Sequence, residues 1–109
     1  MTTIRNATRA DFIAFYGGAP PITVRAMVAV DEDGGLLAIG GHYMQGDVAV
    51  AFTDSVAHMS RRDMVRGARA LMARLRRIKV DVVAVADDSC AVALRHFGFE
   101  PFGELYRLR

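Results

Sequence analysis

The sequence has one cysteine, Cys90, three prolines and no tryptophan in 109 residues. A lone cysteine excludes an intramolecular disulfide, so the fold must hold by packing, and a reducing compartment is its expected setting. Three scattered histidines (His42, His58 and His96) and that cysteine make no metal-ligand spacing, and no metal is expected. No run approaches the roughly 20 apolar residues of a membrane span. The opening Met1-Thr2-Thr3-Ile4-Arg5-Asn6 lacks the apolar stretch of a signal peptide, and the expected location is the cytoplasm. No phosphate loop ends in Gly-Lys-Ser/Thr, and no serine stands in a nucleophile-elbow context.

The composition itself is that of a compact fold, 52% hydrophobic and 24% charged. The length suits a single domain over residues 1–109. The net charge is only +2, but it is unevenly placed. From Arg61 to Lys79 stand Arg61, Arg62, Arg66, Arg69, Arg74, Arg76, Arg77 and Lys79 against the single acid Asp63; the remainder is acidic on balance. Such a segment is either a solvated helix face or a surface for an anionic partner.

Local signals divide the chain cleanly. Thr2 to Asn6 reads as a short strand. Thr8-Arg9-Ala10-Asp11 has the form of a capping box, with Phe12, Ile13, Phe15 and Tyr16 as the apolar face of the helix that follows. Gly17-Gly18 ends that helix and Pro20-Pro21 prevents its resumption. Val24 to Val30, Leu36 to Met44 and Val48 to Val56 read as strands joined by the turns Asp31–Gly35 and Gln45–Asp47, an antiparallel meander. Gly40-Gly41 inside the second of these suggests a bulge or a close backbone approach.

Ser60-Arg61-Arg62-Asp63 is a second capping box opening the main helix. Met64, Ala68, Leu71, Met72, Leu75 and Ile78 share its apolar face, opposite Arg62, Arg66, Arg69, Arg76 and Arg77. Val80 to Ala86 is nearly all apolar, as expected of a strand buried on both faces. Asp87-Asp88-Ser89 caps a last helix over Cys90 to Phe97, Gly98 takes the left-handed position, and Phe102 to Leu108 forms a closing strand. The order β-α-β-β-β-α-β-α-β predicts an α+β (mixed α/β) fold, a mostly antiparallel sheet with helices packed on it.

That order, ending in Leu94-Arg95-His96-Phe97-Gly98-Phe99-Glu100, resembles the GNAT superfamily of acetyl-CoA-dependent N-acetyltransferases. Ile4-Arg5-Asn6-Ala7-Thr8, Pro20-Pro21, Leu37-Ala38-Ile39-Gly40-Gly41, Ala51-Phe52-Thr53-Asp54 and Phe99-Glu100-Pro101 make it similar to the compact phage and prophage members. The resemblance implies acetyl-CoA as substrate, an amine acceptor and no metal. It places the cofactor beside the third meander strand, which ends at Val56, and the start of the main helix, with Arg61, Arg62, Arg66, Gly67 and Ala68 around the pyrophosphate. A helix N-terminus offers free N–H groups and the positive end of its dipole there.

The sequence departs from the family pattern in three places. Asp63, Arg66 and Ala68 align with the Gln/Arg-x-x-Gly-x-Gly/Ala turn, and only Ala68 conforms; an Asp63 carboxylate in the first turn would repel a pyrophosphate. Leu94 stands where the family's tyrosine acid is usual, leaving Cys90 as a donor or as a buried hydrophobe. One helix, where the family has two, precedes the second strand. Asp54 is the expected base if partial burial among apolar neighbours raises its pKa; otherwise it is a turn residue. His58 is the other candidate, or simply an exposed loop histidine. His96 complements a helix C-terminus, Tyr106 packs at core or edge, and His42 and Tyr43 point to opposite faces. The function expected is N-acetyl transfer; the alternative is an inactive GNAT-fold binding or virion-associated protein. A homodimer or phage structural proteins are the partners considered, and nucleic acid is disfavoured by the small net charge.

Overall fold

A computed structural model of the chain describes residues 2–19, 23–55, 57–85 and 94–108. The elements are β1 (Thr3–Asn6), α1 (Arg9–Tyr16), β2 (Val24–Val30), β3 (Leu36–Gln45), β4 (Val48–Ser55), α2 (Arg61–Leu75), β5 (Val82–Ala84), β6 (Phe99–Phe102) and β7 (Leu105–Leu108). Residues 94–96 are also helical. The strands form one seven-stranded sheet in the order β1-β2-β3-β4-β5-β7-β6. Every pairing is antiparallel except β4 with β5. A parallel pair needs a crossover, and α2 supplies it.

Strand alternation sends successive side chains to opposite faces of this sheet. On one face Phe12 and Phe15 of α1 cover Ala26, Val28, Val30, Ile39 and Phe52. On the other, Leu71, Met72 and Leu75 of α2 cover Ala49, Val82, Ala84 and Phe99. The mixed α/β expectation therefore holds, with helices on both faces. Among the described residues no helix is long and apolar enough to cross a membrane.

The local signals act largely as read. Thr8 caps α1, accepting from the Asp11 N–H, while the Asp11 carboxylate accepts from the Thr8 N–H at 2.7 Å. Gly17 (φ 79°) closes the helix from the left-handed region, and Gly98 (φ 98°) adopts the same region before β6. At α2 only half of the expected capping box forms: Ser60 Oγ accepts from the Asp63 N–H at 3.1 Å, but the Asp63 carboxylate is drawn to Thr2 and Arg66 instead of the Ser60 N–H. Gly41 is the close approach: a Cβ there would lie 2.2 Å from the Arg25 carbonyl oxygen. The register shift falls elsewhere, between Ala29 and Val30, where Ala38 and Leu36 are the partners.

Three expectations change. The closing strand is a hairpin, β6 and β7, turning at Gly103-Glu104, with β7 against β5 and β6 at the edge. The strand expected over Val80 to Ala86 contracts to Val82–Ala84, because Val80 and Val85 lie past its pairing with β4 and are exposed. Met64, placed by periodicity on the buried face of α2, is exposed: the first turn projects beyond the cluster that buries Met72 and Leu75. Pro20, Pro21 and the Asp87–Cys90 segment lie outside the described residues.

Candidate active site

The parallel pairing of β4 with β5 spans Ala49/Val82, Val50/Val83 and Ala51/Ala84. β4 continues to Ser55, still paired with β3 through Gly41/Phe52, Gly40/Thr53, Ile39/Asp54 and Ala38/Ser55. Past Ala51, β4 is thus paired on one side and, among the described strands, open on the other. Backbone groups must find partners, so an open strand edge offers N–H and C=O groups to a ligand. Val85, just beyond β5, is 75% exposed at this opening. After β4 the chain reaches His58, Met59 and the Ser60 cap, whose helix start carries unsatisfied N–H groups and a partial positive charge.

Asp54 shares the α1 face with Phe52 by alternation. Its Oδ2 accepts a 2.5 Å hydrogen bond from the Tyr16 hydroxyl at the end of α1. Burial and the neighbouring carboxylate hold the Tyr16 hydroxyl well above its usual titration range, so it stays a neutral donor. The expectation that Asp54 is partly buried does not hold; it is exposed because β4 outruns β5. Its surroundings are set by one hydroxyl instead of by an apolar wall. Tyr16 entered the sequence reading only as a helix-face aromatic, and nothing in the sequence tied it to a carboxylate 38 residues away.

The other candidates separate by position. His58 is exposed in the loop before α2, and Val56 lies outside the described residues. Arg61 and Arg62 are exposed in the first turn of α2. Asp63, Arg66, Gly67 and Ala68 fall inside the first two turns of the helix, where the resemblance placed a turn at its start. Hydrogen bonding from Thr2, then from Ser60 and Arg66, holds the Asp63 carboxyl below its usual range. Arg66 donates to the Thr2 carbonyl at 3.1 Å and to Asp63 at 3.2 Å, tying α2 to the strand edge. Gly67 faces Ile4 of β1, with room for a Cβ at 3.8 Å from that side chain.

Leu94 packs against the α2-side core, as does Tyr106. Cys90 is outside the described residues. His96 is exposed and meets the Phe97 ring edge-on. His42 and Tyr43 do face opposite ways: the Tyr43 ring lies against Phe52 on the α1 face, and His42 is buried under α2. Among the described residues no cluster of three His, Cys, Asp or Glu side chains suits a metal ion.

Neither a protein-family model nor a curated protein matches the chain. Solved structures do match it. The ribosomal-protein-S18-alanine N-acetyltransferase of Escherichia coli superimposes with a TM-score of 0.69 at 18% identity, over 99% of this chain and 93% of that one. A Klebsiella pneumoniae protein assigned as an acyl-CoA N-acyltransferase gives 0.67 at 18% identity, over 99% and 97%. A GCN5-related N-acetyltransferase from Kribbella flavida gives 0.63 at 19% identity, over 94% and 84%. The fold of this chain is the GNAT fold.

Proposed function

We propose that the chain is an acetyl-CoA-dependent N-acetyltransferase that binds the thioester where β4 and β5 part. The observation that carries this reading is the opening beyond Ala51/Ala84, set directly before the N-terminus of α2. The N-acetyltransferases and the acyl-CoA N-acyltransferase that share the fold support it, since they point to an acyl-CoA and an amine acceptor.

In this reading the pyrophosphate lies at the free N–H groups of Arg61 and Arg62, with their exposed guanidiniums alongside. The edge of β4 that no described strand pairs supplies N–H groups that polarise the thioester carbonyl. The amine attacks from the α1 face: a C–N bond forms, the C–S bond breaks, and CoA leaves as its thiolate. Asp54 takes the proton from nitrogen, directly or through one water, and the Tyr16 hydroxyl fixes the orientation of its carboxylate. His58, in the loop between β4 and α2, is the second candidate base. The thiolate takes its proton from solvent, as Leu94 is packed in the core and has none to give. Most of the rate then comes from positioning. The lone cysteine fits a reducing, cytoplasmic setting.

The competing reading, a GNAT-fold binding protein without activity, rests on Leu94 and on the acidic Asp63 in the first turn of α2. Calorimetric titration with acetyl-CoA decides between them, with CoA and ATP as controls. Micromolar binding, tighter for acetyl-CoA than for ATP, supports the enzyme, and amine screening by thiol release then follows. No binding at millimolar acetyl-CoA sinks it.

A further inference from the structure

At the opposite end of α2 the sheet face under the helix opens into a cavity of about 600 Å³ lined by Asn6, Arg25, His42, Arg74, Arg77 and Ile78, with no acidic side chain among the described residues of its wall. Arg25 and His42 are direct cross-strand partners on β2 and β3. Asn6 reaches the same face from β1, and Arg74 and Arg77 descend from the last turn of α2 and just beyond it. Fifteen helical residues, roughly 20 Å of rise, separate this cavity from the Ser60 cap.

The cavity is built around positive charge. Arg74 donates to the Ala26 carbonyl at 3.3 Å and to Asn6 Oδ1, which fixes its guanidinium while leaving further N–H donors. Arg25 and Arg77 have no ion-pair partner among the described residues. His42 is only 9% exposed, yet its Nδ1 has no hydrogen-bond partner. Buried polar nitrogens are normally paired, so this one is open to a hydrogen bond with a ligand in the cavity. Burial, then the charges of Arg25 and Arg74, hold the imidazole below its usual pKa. The negative end of the α2 dipole, about half a charge, is outweighed by three guanidiniums. One small anion would pair the guanidiniums, accept from the imidazole and relieve this repulsion.

We propose that this cavity binds a small oxyanion carrying at least two negative charges, held by Arg25, Arg74, Arg77 and His42. Phosphate and carboxylate groups share the needed geometry. The test is calorimetric titration of the full chain with pyrophosphate and, separately, citrate, in wild type and in R25A/R77A. At least one anion should bind wild type in the micromolar range and bind the variant at least tenfold more weakly. Which anion binds distinguishes a phosphorylated ligand from a polycarboxylate. Both substituted residues are exposed, so the variant should keep its melting temperature. Imidazole NMR gives an independent readout: saturating anion should raise the His42 pKa by about one unit. Equal affinity in the variant, no binding at millimolar anion, or a His42 titration that does not move would each overturn the proposal. The His42 titration reports this cavity alone, whether or not a pyrophosphate also binds at the Ser60 end of the helix.

Discussion

Asp54 carries little chemistry by itself, since an exposed carboxylate at a strand end is an ordinary surface group. Tyr16 changes that by giving one of its oxygens a fixed donor and leaving the other for an amine or a water. Orientation matters because proton transfer needs heavy atoms within hydrogen-bond reach. D54N should therefore lower kcat/KM by about 100-fold or more, with acetyl-CoA affinity within twofold of wild type. Y16F keeps the acceptor and loses only its orienting partner, so about a five- to tenfold loss in kcat is expected, with KM for acetyl-CoA unchanged. Thiol release with the best amine found checks both. An undiminished D54N enzyme would shift the role of base to His58.

At the scale of elements, the termini of the helices hold more than their own turns. Asp11 closes the capping box of α1 and also receives Arg5 from β1 at 2.7 and 3.1 Å, joining the first strand to the first helix. D11A removes both and leaves the Thr8 N–H without its acceptor, a loss of about 2 kcal/mol of stability measurable by urea unfolding. The middle of the sheet has a different constraint. A Cβ on Gly41 would sit 2.2 Å from the Arg25 carbonyl and 2.7 Å from Ala26 Cα, backbone atoms that cannot move without parting β2 from β3. At Gly40 the nearest atom is a Leu71 side-chain carbon at 3.1 Å, which can rotate. G41A should destabilise the fold by about 3 kcal/mol or prevent it, whereas G40A should cost about 1 kcal/mol. Equal melting temperatures for the two variants would refute this account.

Over the whole molecule, stability and charge depend on pH in one direction. The folded-state pKa of Asp11 is lowered to about 2 by its hydrogen bonds from Arg5 and then Thr8, against 3.8 when unperturbed. Its contribution is present above pH 3.8 and is lost as pH falls toward 2. His42 is also depressed, from 6.5, so the unfolded chain takes up its proton first. That contribution is present above pH 6.5 and is lost below it. Urea midpoints should thus fall in two steps on acidification, and H42Q should flatten the step near neutrality. An oxyanion in the Arg25–His42 cavity should also flatten it, by favouring the protonated imidazole. A midpoint that rises between pH 7 and 5 would contradict the assignment of His42.

What the sequence determined is what short-range chemistry controls. The Thr8 and Ser60 caps, the Gly17 stop, the two-faced α2 and the meander turns each involve residues a few positions apart, and each stands where the spacing put it. The reading of Phe102 to Leu108 as one closing strand left the turn signal of Gly103 unused. The order of elements gave the mixed α/β class, and with the Leu94–Glu100 ending it carried the resemblance to the GNAT superfamily. Tertiary structure decided the sites. Tyr16 meets Asp54 across 38 positions, Arg66 meets Thr2 across 64, and Arg74 meets Asn6 across 68. Each pair depends on which strands neighbour one another, in what register, and how far β4 runs past β5. Those are properties of the assembled sheet, set by the packing of both of its faces together, and no local spacing encodes them.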